Sequence, residues 1–311
     1  MRDLQRRLGI AGFSPVGAEV GSFCASTEAA LRAFQASRGL PPNGWCDDRT
    51  WGSLVEANWA LGDRLLTLTA PMARGDDVSA LQVTLARLGF DPGKVDGIFG
   101  PATHRALCRF QRDCGLPTDG MCGHSTIRTL ERVSRQSGSG PGVAVMRERE
   151  TLRANIRTLN GCRIVIGQFG GLSSVTRAAS RQLRTAGALV VPVDEPDPSI
   201  QAQTANNFAA DVYVGVDARP TAGAEINYYA VPAFESVAGR WLAERLANSI
   251  EARSIASAAV VQGRRMSVLR ETRMPAVFCS IGPVRWISEQ APALASAVVD
   301  SLCSWFAESP S

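Results

Sequence analysis

Imidazole side chains, which zinc hydrolases use as metal ligands, occur at only two positions of this sequence, His104 and His124. From Ser125 to Ser311 there is no histidine, so a zinc site in that region would depend on carboxylates and thiolates. Cys279 lies in an apolar run beside Ser280, and because neighbouring strand residues point to opposite faces, the two side chains are expected to diverge. Metal-dependent hydrolysis is therefore not expected of this region.

The densest group of possible metal ligands consists of Cys108, Cys114, Cys122 and His124. No two of these cysteines form a C-x-x-C pair, and Cys122 matches Cys46 in an internal repeat. A structural zinc site is the less favoured interpretation of this group. We expect reduced and mostly buried thiols instead.

Two copies of one pattern, offset by about 76 residues, make up the first part of the chain. Phe34-Gln35 and Asn43-Gly44 in the first copy correspond to Phe110-Gln111 and Asp119-Gly120 in the second. Apolar residues recur at helical spacing between loops that contain glycine and proline, which predicts a small all-α, three-helix domain for each copy. The predicted ranges are 1–57 and 72–133 for the repeats, followed by a flexible glycine- and serine-rich linker over 134–150.

The remaining residues, 151–308, alternate short β-branched runs with amphipathic stretches. Four runs are too short for helices and predict buried strands: Arg163–Ile166, Leu189–Val193, Val212–Val216 and Ala276–Ile281. Helical patterns lie between these runs and after the last one. The alternation predicts an α/β domain with a mainly parallel sheet covered on both faces.

Composition excludes several classes of protein. The net charge is +4 for 311 residues, with basic residues dispersed among acids, so no nucleic-acid partner is expected. No apolar run is long enough for a membrane span. The first residues, Met1–Gln5, begin an amphipathic helix rather than a signal peptide, which predicts a cytoplasmic protein if Met1 is the true start.

The repeats resemble the peptidoglycan-binding domain found beside many cell-wall hydrolases. The second copy carries the motif more faithfully, in Asp96-Gly97-Ile98-Phe99-Gly100-Pro101 and Leu116-Pro117-Thr118-Asp119-Gly120, whereas the first has Val20 and Cys24 at the positions of Asp96 and Gly100. Either the first copy is degenerate, or it looks truncated because the true start codon lies upstream of Met1. The resemblance implies binding of peptidoglycan or a precursor through loops, with four candidate residues: Asp96, Gly97, Asp119 and Gly120.

Most of the third domain resembles the zinc-dependent N-acetylmuramoyl-L-alanine amidases, through Gly170-Gly171 after the first strand and Met274-Pro275-Ala276-Val277 at the start of the last one. In that family two histidines and a glutamate hold zinc, and a second glutamate acts on the bound water. Here Phe169 and Asp217 stand at the histidine positions, Ser280 stands at the second glutamate, and the loop of the first glutamate is deleted. The resemblance therefore implies no zinc cofactor and no catalytic residues. Asp217 and Ser280 are left as ligand-binding candidates in a vestigial cleft.

Two peptidoglycan-binding repeats ahead of a histidine-free amidase domain are similar to a family of actinobacterial cell-wall regulators, which also share motifs such as Leu269-Arg270-x-Thr272-Arg273. The resemblance implies a cytoplasmic pseudoenzyme that regulates peptidoglycan synthesis by activating UDP-N-acetylglucosamine enolpyruvyl transferase. Phosphorylation in that family falls on a tail beyond the amidase domain. A chain that ends at Ser311 is expected to lack this tail, which leaves the switch and the partner open.

Two other interpretations stay open. A working zinc amidase would hydrolyse the bond between N-acetylmuramic acid and L-alanine. An adaptor would use the repeats purely as a protein-binding surface. Zinc content and binding to wall sacculi separate these interpretations.

Overall fold

The computed structural model describes residues 1–135, 143–154, 158–231 and 234–308. The chain divides into two compact units, Met1–Met146 and Arg147–Ser311, which are described separately. The glycine-rich centre of the predicted linker and the last residues, 309–311, lie outside the described residues.

The described helices of the first unit form two three-helix groups, as the repeat predicts. They are α1 (Arg2–Ile10), α2 (Ala25–Ser37), α3 (Asp48–Ala57), α4 (Asp76–Arg87), α5 (Pro101–Asp113) and α6 (His124–Ser134). Each group has its own apolar core, in which Phe34 and Phe110 are fully buried. The second core also contains Leu66, whose backbone pairs with that of Cys122, so this domain begins before the predicted residue 72. A short extended segment of this kind leaves no periodic signal in the sequence.

Buried glutamines on the helices hold the loops of both repeats. The side-chain oxygen of Gln111 accepts a hydrogen bond from the Gly120 amide at 2.9 Å, and its nitrogen donates to Asp119 Oδ1 at 2.8 Å and to the Met121 carbonyl at 3.0 Å. Gln35 makes the same three contacts with the matching loop of the first repeat. Two further glutamines, Gln5 and Gln82, hold the other loops in the same way. We call these four residues the glutamine clamps.

The second unit contains an α/β domain with a sheet between helices, as predicted. Its strands are β1 (Arg163–Gln168), β2 (Leu189–Asp194), β3 (Val212–Ala218), β4 (Gly223–Val231), β5 (Phe234–Glu235), β6 (Ala259–Arg264) and β7 (Ala276–Gly282). Its helices are α8 (Ser173–Thr185), α9 (Pro198–Asn207), α10 (Val237–Ala252), α11 (Ser267–Glu271) and α12 (Val284–Ala307), and α7 (Val143–Ala154) precedes them.

The sheet is mixed, although most of its pairs are parallel. In the described residues the strand order is β2-β1-β3-β7-β4-β6, with the short β5 also paired to β4. The strands β2, β1, β3 and β7 run parallel to one another, and β4 runs antiparallel to β7 but parallel to β6. The four predicted strands are confirmed, but the predicted burial of β2 is wrong, because this strand lies at the edge of the sheet and Leu189 is 56 % exposed. The strands β4 and β6 were not predicted because polar residues interrupt their apolar patterns.

Alternate residues of the strands serve opposite faces of the sheet. Ile166, Val214, Val277 and Cys279 belong to the apolar core shared with α8, α10 and α12. The intervening residues face the side that carries α9, where the Tyr213 hydroxyl donates to Gln201 Oε1 at 2.6 Å. Side chains of the two faces therefore have different neighbours, and the candidate site lies on the α9 side.

The predicted flexible linker is too long. Helix α7 begins at Val143, inside the predicted range of 134–150, and Leu152 is buried against the core of the α/β domain. Within α7, Glu148 accepts a hydrogen bond from the Ser236 hydroxyl, and its second oxygen accepts one from the Val237 amide at 3.0 Å. These contacts at the start of α10 explain why a charged, non-periodic segment folds as a helix.

Candidate functional site

The residues predicted to line the vestigial cleft lie in one row at the carboxyl ends of β1, β3 and β7. Asp217 of β3 is the register partner of Ser280 in β7, and adjacent strands are only about 5 Å apart. Phe169 follows β1 directly, and its amide donates to the Val216 carbonyl at 3.2 Å, which places it beside Asp217. All three side chains are partly exposed. The structure therefore brings together the three positions at which the resemblance places a metal centre.

Phe169 packs against an aromatic neighbour within this row. Its ring lies 5.0 Å from that of Phe278, centroid to centroid, at an angle of 61°. Edge-to-face contacts of this kind are favourable, so Phe169 is held as part of an apolar cluster. A hydrocarbon ring offers no lone pair to a metal.

The electrostatic surroundings of Asp217 also disfavour a metal ligand at this position. Burial raises the pKa of its carboxyl above the usual range, although a hydrogen bond from the Ala218 backbone amide opposes this effect. The neutral acid is thus favoured relative to an aspartate in water. A metal ligand in this family requires the ionised form.

The residues of this row do not fit a zinc site. Zinc hydrolases use three protein ligands and leave one position for water, whereas here a ring, one carboxyl and one hydroxyl meet. Over residues 1–135, 143–154, 158–231 and 234–308, no three His, Cys, Asp or Glu side chains lie close enough to hold a metal. Cys279 faces the helices, where burial raises the pKa of its thiol to about 12, and Cys162 lies at the opposite end of β1.

The polar row continues onto β4, a strand that the apolar runs of the sequence do not predict. Glu225 of β4 is the second register partner of Ser280. Two arginines, Arg219 and Arg264, approach its carboxylate at 3.7 Å and 3.6 Å. Alternation of Glu225 and Asn227 with apolar residues is a signal that could have predicted a strand with a polar face here.

A buried network supports the row from the α9 side. Gln201 of α9 donates to the Gln168 carbonyl at 2.9 Å and to the Glu195 carbonyl at 2.5 Å, and it accepts from Tyr213. Gly167 makes this possible, because a Cβ atom there would lie 1.7 Å from the Gln201 side-chain oxygen. The carboxyl end of β1, which Phe169 follows, is therefore held in place by the contacts of Gln201 on the α9 side of the sheet.

The candidate loop residues of the repeats have structural partners. Asp96 Oδ1 accepts from the Gln82 side chain at 2.9 Å and from the Ile98 amide at 2.8 Å, and the Gly97 amide donates to Gln82 Oε1 at 2.8 Å. Asp119 accepts in the same way from the Met121 amide and Gln111, and these bonds lower the pKa of its carboxyl. Gly120 adopts φ 66° beneath the His104 ring, and Gly97 adopts φ 71°.

These four residues therefore form turns whose conformation is held by hydrogen bonds to the glutamine clamps. Their part in ligand binding stays a prediction. Side chains that point outward from the clamped loops of either repeat are better placed to contact a polymer. Trp45, in the loop of the first repeat that Gln35 holds, is 75 % exposed.

The cysteines considered as zinc ligands are not brought together. Cys122 is fully buried, and burial raises the pKa of its thiol to about 12. Cys108 lies one helical turn from His104, with 3.6 Å between sulfur and Nε2, while Cys114 follows the last turn of α5. A structural zinc site in the second repeat is not supported by this arrangement.

Comparison with known proteins identifies both parts of the chain. Residues 1–54 and 74–130 match the peptidoglycan binding domain family. The chain is 34 % identical over 293 residues to the N-acetylmuramoyl-L-alanine amidase CwlM of Mycobacterium tuberculosis, a match that covers 84 % of this chain and 71 % of that protein.

Two further matches each cover part of the chain. A spore cortex-lytic enzyme of Bacillus cereus is 45 % identical over 67 residues, which are 22 % of this chain and 26 % of that enzyme. The solved structure of the amidase AmiC2 of Nostoc punctiforme matches 48 % of this chain and 99 % of its own, at 18 % identity and a TM-score of 0.41. Across the described residues, no helix combines the length and apolar character needed to cross a bilayer.

Proposed function

The chain belongs to the family of the N-acetylmuramoyl-L-alanine amidase CwlM, and from this premise we propose that it is an amidase-like pseudoenzyme. In this proposal it binds peptidoglycan, one of its precursors or a partner enzyme, and thereby regulates cell-wall synthesis. The observation that carries the proposal is the row formed by Phe169, Asp217 and Ser280, where the family's metal and catalytic groups would be needed.

The absence of hydrolysis is proposed on chemical grounds. An amidase of this type lowers the pKa of a zinc-bound water and uses a carboxylate to take its proton. A serine hydroxyl is too weak a base for that role at neutral pH, and a single carboxyl beside an aromatic ring is too small a ligand set.

The competing function is a working amidase, which the name of the CwlM relative favours. Both proposals are tested by measuring zinc in the purified chain by mass spectrometry, and the release of peptides with a free L-alanine amine from muropeptides. We expect substoichiometric zinc and no release. Zinc at one equivalent together with turnover would contradict the pseudoenzyme proposal.

A matched variant makes the activity assay decisive. Trace hydrolysis from a contaminating enzyme would persist in the double variant Asp217→Asn with Ser280→Ala, because it does not depend on this site. Hydrolysis by the chain itself would disappear in that variant. An active amidase assayed in parallel supplies the positive control.

Peptidoglycan binding is proposed for the repeats, supported by the match to the peptidoglycan binding domain family. The exposed indole of Trp45 is the surface group that we expect to contribute, because aromatic faces pack well on sugar rings and apolar linkers. Sedimentation of the full chain with purified sacculi should fall for Trp45→Ala. Trp51→Ala is the matched control, since Trp51 is 38 % exposed and contacts Arg7 within its own repeat.

The partner enzyme that we propose is UDP-N-acetylglucosamine enolpyruvyl transferase. It rests on the family resemblance alone. Mixing the purified transferase with the full chain, and measuring both complex formation and transferase rate, tests it directly. Absence of a complex would remove this partner while leaving polymer binding to the sacculi assay.

A further inference from the structure

Two arginines of the second unit converge on one carboxylate without saturating it. Arg219, after β3, and Arg264, at the end of β6, approach the oxygens of Glu225 at 3.7 Å and 3.6 Å. These distances are too long for direct hydrogen bonds. The three side chains are 33 %, 32 % and 27 % exposed, so the group is largely buried yet reachable from solvent.

Neighbouring side chains orient both guanidinium groups. Arg219 Nε donates to Thr221 Oγ1 at 3.0 Å, and Arg264 donates to Gln262 Oε1. Because Arg264 reaches both Gln262 and Glu225, its side chain runs back along the sheet from the end of β6. Each guanidinium carries five N–H donors, so donors remain on both for a further acceptor.

The same stretch of sheet contains a buried acceptor without a partner. Asn227 is 3 % exposed, and its side-chain oxygen makes no hydrogen bond. It shares a face with Glu225, two residues earlier in β4, and its register partner in β6 is Gln262. Gln262 also accepts a hydrogen bond from Arg264, so Asn227 neighbours the residue that orients one of the two arginines. Buried unpaired acceptors are costly, so this one is suited to a donor supplied by a ligand.

The charges select the kind of anion. Two guanidinium groups and one carboxylate leave a single net positive charge, and the remaining carboxylate repels a dianion more than a monoanion. The planar fork of an arginine matches the two oxygens of a carboxylate.

We propose that Arg219, Arg264 and Asn227 form a site for a free carboxylate next to an amide N–H, as at the C-terminus of a short acylated peptide. The carboxylate binds the two guanidinium groups, and the amide N–H donates to Asn227 Oδ1. The inference rests on the proposed function for the source of such peptides, because the site continues the row of Asp217 and Ser280 onto β4.

The test is a titration of the full chain with N-acetyl-alanyl-alanine, in L and D forms, followed by NMR of the ligand. Its methyl ester lacks the charge, the corresponding ester-linked acid lacks the N–H, and inorganic phosphate supplies an anion of another class. We expect the acid to bind at least about tenfold more tightly than each of these three probes, because the methyl ester and the ester-linked acid each lack one of the two recognised groups and phosphate lacks both.

Four variants connect binding to the residues. Arg219→Gln and Arg264→Gln should each weaken binding of the acid about tenfold. Asn227→Leu should abolish the preference for the amide over the ester-linked acid. Glu225→Gln should tighten binding of the acid, because it removes the repelling charge, and a gain of this kind cannot arise from misfolding.

The matched control is Arg240→Gln. It removes an arginine that pairs with two carboxylates, Glu235 on β5 and Glu244 on α10. It should bind the acid as the unaltered chain does. Equal binding of acid and methyl ester, or tighter binding of phosphate than of the acid, would overturn the inference. Loss of peptide binding with intact binding to sacculi would leave the proposed function standing, whereas loss of sacculi, precursor and partner binding would refute the proposed function itself.

Discussion

Replacement of Gly167 by alanine tests whether the end of β1 is fixed by the network beneath it. The added Cβ would lie 1.7 Å from Gln201 Oε1 and 2.5 Å from the Tyr213 hydroxyl, so the Gln201 side chain has to leave. Its departure breaks the hydrogen bonds to Tyr213, to the Gln168 carbonyl and to the Glu195 carbonyl.

The expected loss follows from these contacts. The two hydrogen bonds to carbonyls at about 1 kcal/mol each, together with about 1–3 kcal/mol for a Tyr213 hydroxyl left buried and unpaired, give a decrease in the free energy of unfolding of roughly 3–5 kcal/mol. The α/β domain should still fold, because domains of this size are stable by about 5–15 kcal/mol.

Amide hydrogen exchange of peptides from β1 and β3, read by mass spectrometry in the full chain, measures the effect where it arises. A loss of this size should speed exchange by about two to three and a half powers of ten. Gly52→Ala is a control, because nothing lies within 4 Å of a Cβ there, and it should leave the exchange of both strands unchanged.

A double-mutant cycle identifies the cause. If the overlap with Gln201 is responsible, Gly167→Ala should cost less in a Gln201→Ala background, because only the Tyr213 hydroxyl, 2.5 Å from the new Cβ, then still has to move. An equal cost in both backgrounds would refute this account of the strand end, and a loss below about 1 kcal/mol would show that the network is loosely held.

Three further outcomes are expected. Gln111→Leu should lower the free energy of unfolding of the second repeat by about 2–4 kcal/mol, measured by urea denaturation, because the Gly120 amide and the Met121 carbonyl lose their partner; an unchanged midpoint would contradict the clamp. Cys24 should be alkylated by iodoacetamide with a midpoint near pH 6, because a hydrogen bond from the Ser26 hydroxyl lowers the pKa of its thiol to about 6, and Ser26→Ala should move that midpoint upward. Burial raises the pKa of Asp217, so ionisation of its carboxyl lowers the free energy of unfolding once the pH exceeds about 4, the pKa of this group in the unfolded chain. At pH 7 the variant Asp217→Asn should therefore be no less stable than the unaltered chain. In thermal melts, its stability relative to the unaltered chain should rise from pH 4 upward.

Much of the fold could be predicted from local patterns. Helical spacing and the repeat gave the two helical domains, and β-branched runs gave β1, β2, β3 and β7, because these strands are apolar on both faces. The positions Phe169, Asp217 and Ser280 followed from the resemblance to the amidases and not from a local pattern. In the structure Asp217 and Ser280 are register partners on adjacent strands.

The rest depended on contacts between residues far apart in sequence. Glu225 and Asn227 lie on β4, whose polar face hides its strand pattern, and Arg264 comes from β6, whose polar residues and exposure resemble those of a loop. Nothing local shows that Arg219 and Arg264, 45 positions apart by their numbers, meet at one carboxylate. The glutamines were noted only as parts of a motif, and their hydrogen bonds to the loops became visible once the helices were packed.

The glutamine clamps separate two properties that loops usually combine. Gln35 and Gln111 each bond backbone atoms and a short Asn or Asp from inside the domain, so the conformation of the turn does not depend on the side chain that projects outward. The first repeat presents an indole at this position and the second a thioether, on turns held by the same bonds. Such an arrangement lets the outward residue diverge between duplicated copies at little cost in folding. One ancestral module could thus acquire two different specificities while its architecture stayed constant.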